Sequence, residues 1–256
     1  KWLVKLVNFI KNIKSYKITN INHGHQLLEV KIMKEFIERY EIDCIFDVGA
    51  NNGQYAQTLR NEVGYKGLII SFEPIPYLFE NLILNSRNDH LWIPQNFALG
   101  ERNEKKKFHI MKDHVFSSFK KPNNKEIDYF QNQNKIKTQI DVNVKKLDSI
   151  YLDYKKKYFF KNPFLKIDTQ GYDIEVVNGS NNCIQYMVGL QSELSIKKIY
   201  KDTLDFKEIL SVYKSLGFDI SGLIHNTTGQ FPYLTEIDCY MFNVKIENQR
   251  KQRLRS

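Results

Sequence analysis

The chain has 256 residues, enough for one α/β domain of good size with appendages. Apolar residues make up 42% and aromatics 13%, which supplies a core and excludes wholesale disorder, while no apolar run reaches the roughly 18–20 residues of a membrane span. The formal net charge of +9 raises nucleic acid, membrane surface or a phosphorylated substrate as partners, yet the lysines sit in short clusters such as Lys105–Lys107 and Lys155–Lys157 rather than in a long basic run with aromatics, so most of it reads as solvated surface.

The first residue is Lys1 rather than Met, which leaves a removed leader open. The opening stretch KWLVKLVNFIKNIKSYKI has helical periodicity, with Leu3, Leu6, Ile10 and Ile13 on one face and lysines mostly elsewhere. Such a basic amphipathic helix suits an anionic membrane surface, or packs on the domain or on a second subunit. Residues 1–40 therefore read as a helical N-terminal extension, 41–247 as the main domain and 248–256 as a basic tail. Cys44, Cys183 and Cys239 are far apart, odd in number and in apolar surroundings, with no C-x-x-C pair; they read as reduced core thiols of a cytoplasmic protein, peripheral to a membrane at most.

From Cys44 onward strands and helices alternate. CIFDV is a short buried strand, and Gly53 to Glu62 a helix. GLIISFE is a second strand, followed by a helix from Pro76 to about Ser86. LWIPQNFAL reads as a third strand and Phe108–Met111 as an extra one. Residues 112–137, polar and rich in Lys and Asn, read as a lid or binding loop. QIDVNVKKLDSI reads as an edge strand entering a helix, NPFLKID as a core strand with a helix from Tyr172–Asp173, and YMVGLQSEL as the next strand. Leu204–Leu216 is a helix stopped by Gly217, and FDISGLI and IDCYMFNVK form a last pair of strands, predicted as an antiparallel hairpin at one sheet edge. The alternation predicts a doubly wound, Rossmann-like α/β fold with a mostly parallel seven-stranded sheet and an antiparallel edge strand.

The strongest motif is FDVGANNGQYAQTL, residues 46–59. Asp47 arrives at a strand end, Gly49 permits a tight turn and close backbone approach to a ligand, and Gly53 opens the following helix. The spacing G-A-N-N-G differs from the nicotinamide fingerprint G-x-G-x-x-G, which argues against an oxidoreductase. Asp47 and Asn51 suit an ammonium group, and free amides at the helix start, at Ala50 and beyond, suit a carboxylate. FEP at 72–74 places Glu73, with Pro74, where an acid can take hydrogen bonds from a ribose diol. QNFALG at 95–100 places Asn96 and Ala98 beside an adenine.

These motifs, with SSF at Ser117–Phe119, VKKLDSI and LKIDTQGYDIEVVNG, resemble the FkbM-type methyltransferases in order from about Cys44 to Ser195. The resemblance implies S-adenosylmethionine as methyl donor and a hydroxyl oxygen as acceptor, on a sugar, glycan or natural product. Ser117 and Ser118 match the family and are read as donor or acceptor contacts. Where the family commonly has an acid, this chain has Gln170, which weakens any mechanism needing two carboxylates in that loop.

An alcohol needs a base, or a metal that lowers its pKa. Asp168, at a strand end before Gly171, is the first candidate base, and Glu193 in LQSELS its partner. The two acids are also the candidate ligands of a divalent ion such as Mg. His225 in GLIHN is a third catalytic candidate, and Lys166 is either a core lysine or an electrostatic contact. Residues 112–137, 195–204 and 222–235 are expected to build the acceptor pocket. Two rivals stand beside this reading. A nucleic-acid methyltransferase fits the charge but lacks the Pro-Pro-aromatic motif and a nucleophilic cysteine at a catalytic strand end. A cofactor-binding protein without catalysis fits Gln170 but not the intact donor motif. No specific nucleic-acid partner is expected, and a homo-oligomer is left open.

Overall fold

The computed structural model describes residues 24–125, 130–225 and 232–255. The N-terminal amphipathic stretch lies outside the described residues. The first described helix, α1 (Gly24–Tyr40), packs Met33, Phe36 and Tyr40 into the core, so this segment is a cover of the sheet.

The centre of the fold is β1 (Cys44–Val48), β2 (Leu68–Phe72) and, later in the chain, β7 (Pro163–Ile167), each buried at every position. Strands covered on both faces read as continuous apolar runs, which is how they stand in the sequence. The polar exceptions answer one another. Ser71 Oγ donates to Asp47 Oδ2 at 2.9 Å, and Trp92 Nε1 donates to Ser71 Oγ at 2.9 Å. After β1 the chain enters α2 (Gln54–Thr58), which widens into a π-helical turn over Leu59–Val63 and stops at Gly64. After β2 comes α3 (Pro76–Ser86), with proline in its first turn where no N–H is missed.

The segment expected as one third strand is two. β3 (Trp92–Gln95) joins the main sheet beside β2, whereas β4 (Ala98–Leu99) leaves it for a second sheet. That sheet has the order β4-β6-β5, with β5 (Glu104–Met111) antiparallel to β6 (Ile136–Lys145). The strand expected at an edge, β6, is thus central in the small sheet. Ile75 and Leu78 of the main layer pack with Phe108, Ile110, Val142 and Val144 of the small sheet.

The remaining elements are α4 (Leu147–Tyr158), α5 (Asp173–Asn178), β8 (Gly189–Ser195), α6 (Phe206–Ser215), β9 (Phe218–His225), β10 (Glu236–Asn243) and α7 (Val244–Arg253). Asp205 closes a capping box with Glu208 at the start of α6. The basic tail is helical through Arg253 and is tied back to α1, where the Arg39 guanidinium pairs with Glu247 and Arg250 Nε donates to the Arg39 carbonyl at 2.9 Å.

The seven-stranded sheet has the order β3-β2-β1-β7-β8-β10-β9. β10 runs antiparallel to both neighbours, so the expected hairpin closes one edge, with β10 second from that edge and β9 outermost. One core lies between the sheet and α4, α5 and α6; the other lies under α1, α2 and α3. Cys44, Cys183 and Cys239 are buried and unpaired. Among the described residues no helix is long and apolar enough to cross a membrane.

Candidate active site

The C-terminal ends of β1, β2, β7 and β8 open into one cleft. It is lined by Val48, Gly49 and Asn51 after β1; Phe72, Glu73, Pro74, Ile75 and Leu78 after β2; Ala98, Leu99 and Phe108 from the small sheet; His114, Val115, Ser117 and Phe119 from the segment after β5; and Asp168, Thr169, Gln170 and Glu193. Eight of the residues singled out in the sequence therefore meet here: Gly49, Asn51, Glu73, Pro74, Ala98, Ser117, Asp168 and Glu193.

The others do not line it. Asp47 is fully buried and is engaged by Ser71 and by the Lys166 ammonium, 3.3 Å from its Oδ1, so it braces β1 against β7 instead of presenting a carboxylate to a ligand. Ala50 is in the core under α1. Gly53 has φ 86°, and a Cβ there would lie 2.5 Å from the Trp92 ring, so its smallness serves packing. Asn96 donates its Nδ2 to the Glu73 carbonyl at 3.0 Å and holds that turn, which takes it away from the adenine role expected of it. Ser118 is buried and donates to the Gln170 carbonyl at 2.7 Å. His225 is exposed on the outermost strand, opposite Ile237 in register, and does not line the cleft.

Gly49 also changes its meaning. Its φ is 79°, a left-handed conformation that side chains resist. A Cβ there would lie 1.9 Å from the main-chain oxygen of Asp168. The close approach is between the loops after β1 and β7, and it brings the two halves of the cleft into contact.

Glu73 anchors the first half. Its Oε2 accepts from the Asn51 N–H at 2.9 Å and its Oε1 from the Ile75 N–H at 2.8 Å. Burial nevertheless outweighs these two bonds and raises its carboxyl to about 7. Ile75, Leu78 and Phe72 make the neighbouring wall apolar, a surface for a flat ring.

The second half is built of acids. The Lys166 ammonium, buried at the middle of the group, lies 3.3 Å from Asp47 Oδ1, 3.4 Å from Asp168 Oδ2 and 3.3 Å from the Gly49 carbonyl. Burial alone would lower its pKa, but Asp168 and Asp47 outweigh burial and keep it charged. Gln170, with φ 55°, places its side-chain amide between the two candidate catalytic acids: Nε2 donates to Asp168 Oδ1 at 3.2 Å and to Glu193 Oε2 at 2.8 Å. Its Oε1 accepts from the Tyr200 hydroxyl at 2.8 Å. Burial, then Glu236 and Asp168, push the Glu193 carboxyl well above the usual range. Asp173 heads α5 and holds the loop below, accepting from Thr169 N at 3.0 Å and Ser192 Oγ at 2.9 Å, and burial raises it to about 6.

The metal assignment to Asp168 and Glu193 does not fit this geometry. A divalent ion needs several oxygen ligands and the space between the carboxylates. The Gln170 amide lies between them, and among the described residues no group of three or more His, Cys, Asp or Glu side chains is placed to hold an ion.

The segment at 121–123 is fastened to the 196–201 turn. The Lys201 N–H donates to the Lys121 carbonyl, the Asn123 N–H to the Ile199 carbonyl, and Pro122 bridges Tyr200. Phe116, Phe130, Met111, Ile199 and Tyr200 form a small apolar cluster beneath. Sequence reasoning alone misses Tyr200 and Glu236, which act on the cleft residues Gln170 and Glu193. The only trace of Glu236 is a pair of acids spaced i, i+2 in an otherwise apolar strand.

A doubly wound sheet with an antiparallel strand inserted before its last member, and a cleft over the ends of its central strands, define the methyltransferase class of Rossmann-like folds. Residues 47–220 match the methyltransferase FkbM domain, and the chain belongs to that family. Some solved structures are similar at low identity. The methyltransferase FkbM from Methylobacillus flagellatus KT is 14% identical with a TM-score of 0.49, over 78% of this chain and 44% of that one, so this chain spans less than half the length of that relative. Magnesium protoporphyrin IX methyltransferase from Synechocystis PCC 6803, solved with bound SAM, is 8% identical with a TM-score of 0.47 over 88% and 85% of the two chains. Fibrillarin from Aeropyrum pernix, solved with natively bound S-adenosyl-L-methionine, is 12% identical with a TM-score of 0.43 over 84% and 73%. No curated protein sequence matches the chain.

Proposed function

We propose that the protein binds S-adenosylmethionine in the cleft and methylates a hydroxyl oxygen of a sugar, glycan or other small molecule, without a metal. The observation that carries this reading is the division of one cleft into an apolar, amide-rich end at Asn51, Glu73 and Ile75 and an acid end at Asp168 and Glu193. The residues present fit the donor. Glu73 retains lone pairs for a ribose diol after taking two backbone amides, and Phe72, Ile75 and Leu78 offer an apolar wall to the adenine. When bound, the donor supplies a methyl group already activated by its sulfonium.

What remains for the protein is alignment, proton removal and exclusion of water. Asp168, its side chain 39% exposed, is open enough to accept the hydroxyl proton. The Lys166 ammonium holds one of its oxygens, and the Gln170 amide fixes the other. Val115 and Phe119 of the lid cover the cleft with apolar surface. A polyphosphate acceptor would meet repulsion from the acids at this end, which weighs against nucleic acid.

The test is calorimetric titration with S-adenosylhomocysteine, followed by transfer of a labelled methyl group from S-adenosylmethionine to a panel of sugars with and without a chelator. Micromolar or tighter binding and chelator-resistant transfer to a hydroxyl are expected. A folded protein that does not bind the product sinks the reading.

A further inference from the structure

The end of the sheet opposite the cleft carries a basic and apolar surface with no part in the cleft. α4 turns Leu147 and Tyr151 into the core and leaves Leu152, Lys156 and Lys157 outside. Its last turn holds Lys155, Lys156 and Lys157, and Lys161 follows, exposed, just before β7. From Ile150 to Asn162 the sequence has one acid, Asp153. The carboxylate of Asp43, which reaches this end from before β1, is occupied: it accepts from the Lys161 and Asn162 N–H groups at 2.8 Å.

Lysines at a helix C-terminus complement its open carbonyls, and that accounts for the charge alone. The apolar groups among them need another account. Phe159 is 80% exposed, the most exposed large apolar side chain among the described residues, and Leu152, 70% exposed, lies two turns earlier on the same helix. Tyr186, half exposed, stacks on the buried Tyr151, and the Lys155 ammonium lies 5.6 Å from its ring centroid, which ties it to the same patch. Phe159 ends the helix with φ 59°, the left-handed conformation that glycine adopts there without strain. A strained backbone thus holds an aromatic ring in solvent, while the next residue, Phe160, is buried in the core. Rings and aliphatic groups framed by lysines match the boundary of an anionic bilayer: the apolar groups enter by roughly 5–10 Å and the ammonium groups stay with the lipid phosphates. A nucleic acid would also take the lysines, but Leu152 has neither a π-face for a base nor a donor for a phosphate.

We propose that Phe159, Leu152 and Tyr186, framed by the Lys155–Lys157 cluster and Lys161, form a docking face for an anionic lipid surface. The face lies at the strand-start end of the sheet. Lys161 leads into β7, and Asp168 follows the other end of that strand, about 17 Å away. A chain docked by this face keeps its cleft away from the bilayer.

The experiment sediments the full chain with vesicles of phosphatidylcholine alone and with vesicles in which about one-third of the lipid is phosphatidylglycerol. Partition at least about tenfold stronger into the anionic vesicles, and weakened by salt, is expected. Phe159→Gly removes the ring at a backbone conformation that glycine prefers, so Tm is expected to hold or rise while partition falls about tenfold. Lys156→Gln combined with Lys157→Gln is expected to reduce partition about twentyfold, near fivefold per charge. Absent partition, equal partition into the two vesicles, or partition that survives both variants overturns the face; the last would give membrane contact to another basic part of the chain. A Phe159→Gly variant whose Tm falls makes the ring a structural contact and overturns it as well. So does single-stranded RNA that displaces the chain from vesicles and loses affinity with Phe159→Gly, which would give the face to nucleic acid.

Discussion

The two halves of the cleft are built on opposite principles. Over β1, β2 and β3 the polar groups satisfy one another: Trp92 donates to Ser71, Ser71 to Asp47, and two backbone amides to Glu73. Over β7, β8 and β10 the acids Asp168, Glu193, Glu236 and Asp238 face one another, with the Gln170 amide and the Lys166 ammonium between some of them. The first half is complete before any ligand arrives. In the second, burial and neighbouring acids push the Glu193 and Glu236 carboxyls above their ordinary range.

Removing the proposed base is the sharpest way to test that division. Asp168→Asn is expected to lower kcat about a thousandfold, near 4 kcal/mol, with S-adenosylhomocysteine affinity within about threefold. If donor affinity falls in parallel, the halves are one unit. Gly49→Val attacks the seam: the Cβ clash with Asp168 and the left-handed backbone are expected to cost about 3 kcal/mol or more, roughly 10 °C in Tm by calorimetry. A Gly49→Val variant that melts normally and only binds donor weakly would return Gly49 to the ligand-contact role.

The raised carboxyls should also be visible in stability. The carboxyls of Glu29, Glu73 and Glu236 stand at about 7, 7 and 8, above their ordinary 4.5. Between about pH 5 and 8 the folded chain keeps protons that the unfolded chain has released, so stability falls as pH rises through that window. A decrease of roughly 5–10 °C in Tm from pH 5.5 to 8.5 is expected, and Glu236→Gln should remove about 2 kcal/mol of it. A flat profile would mean the acids are relieved within the free protein. The smallest effect is expected from Ser118→Ala, which removes the hydroxyl donor to the Gln170 carbonyl: about 1 kcal/mol in stability, with kcat reduced more than donor affinity. Measuring both constants shows whether the lid steadies the acid half alone.

The satisfied half is the legible one. The glycine spacing of DVGANNG and the strand-end Glu73 are local signals, and the parallel order follows from strand–helix alternation. Asp47 reads in sequence as a ligand contact because its partner Lys166 sits on a strand more than a hundred residues away, and only the register of β1 with β7 brings them together. Asn96 misleads because its bond is to a backbone carbonyl, which leaves no mark in sequence. The acids of β10 escape for a topological reason. A parallel strand brings its end to the active edge and announces it by the turn and helix that follow, whereas β10 runs antiparallel and brings its beginning, Glu236, to that edge. Gln170 stands out as a departure, but beyond its neighbour Asp168 it joins Glu193 and Tyr200, which lie 23 and 30 residues further along the chain.

The fastening of Lys121–Asn123 to Ile199–Lys201 joins two distant segments, both proposed for the acceptor wall, into one two-piece structure. Neither piece can be lengthened alone without breaking the bridge at Pro122 and Tyr200 and releasing the Tyr200 hydroxyl from Gln170. The two loops are therefore a matched cassette: acceptor range is expected to diversify by paired changes in both, and a graft intended to transplant it must carry both at once.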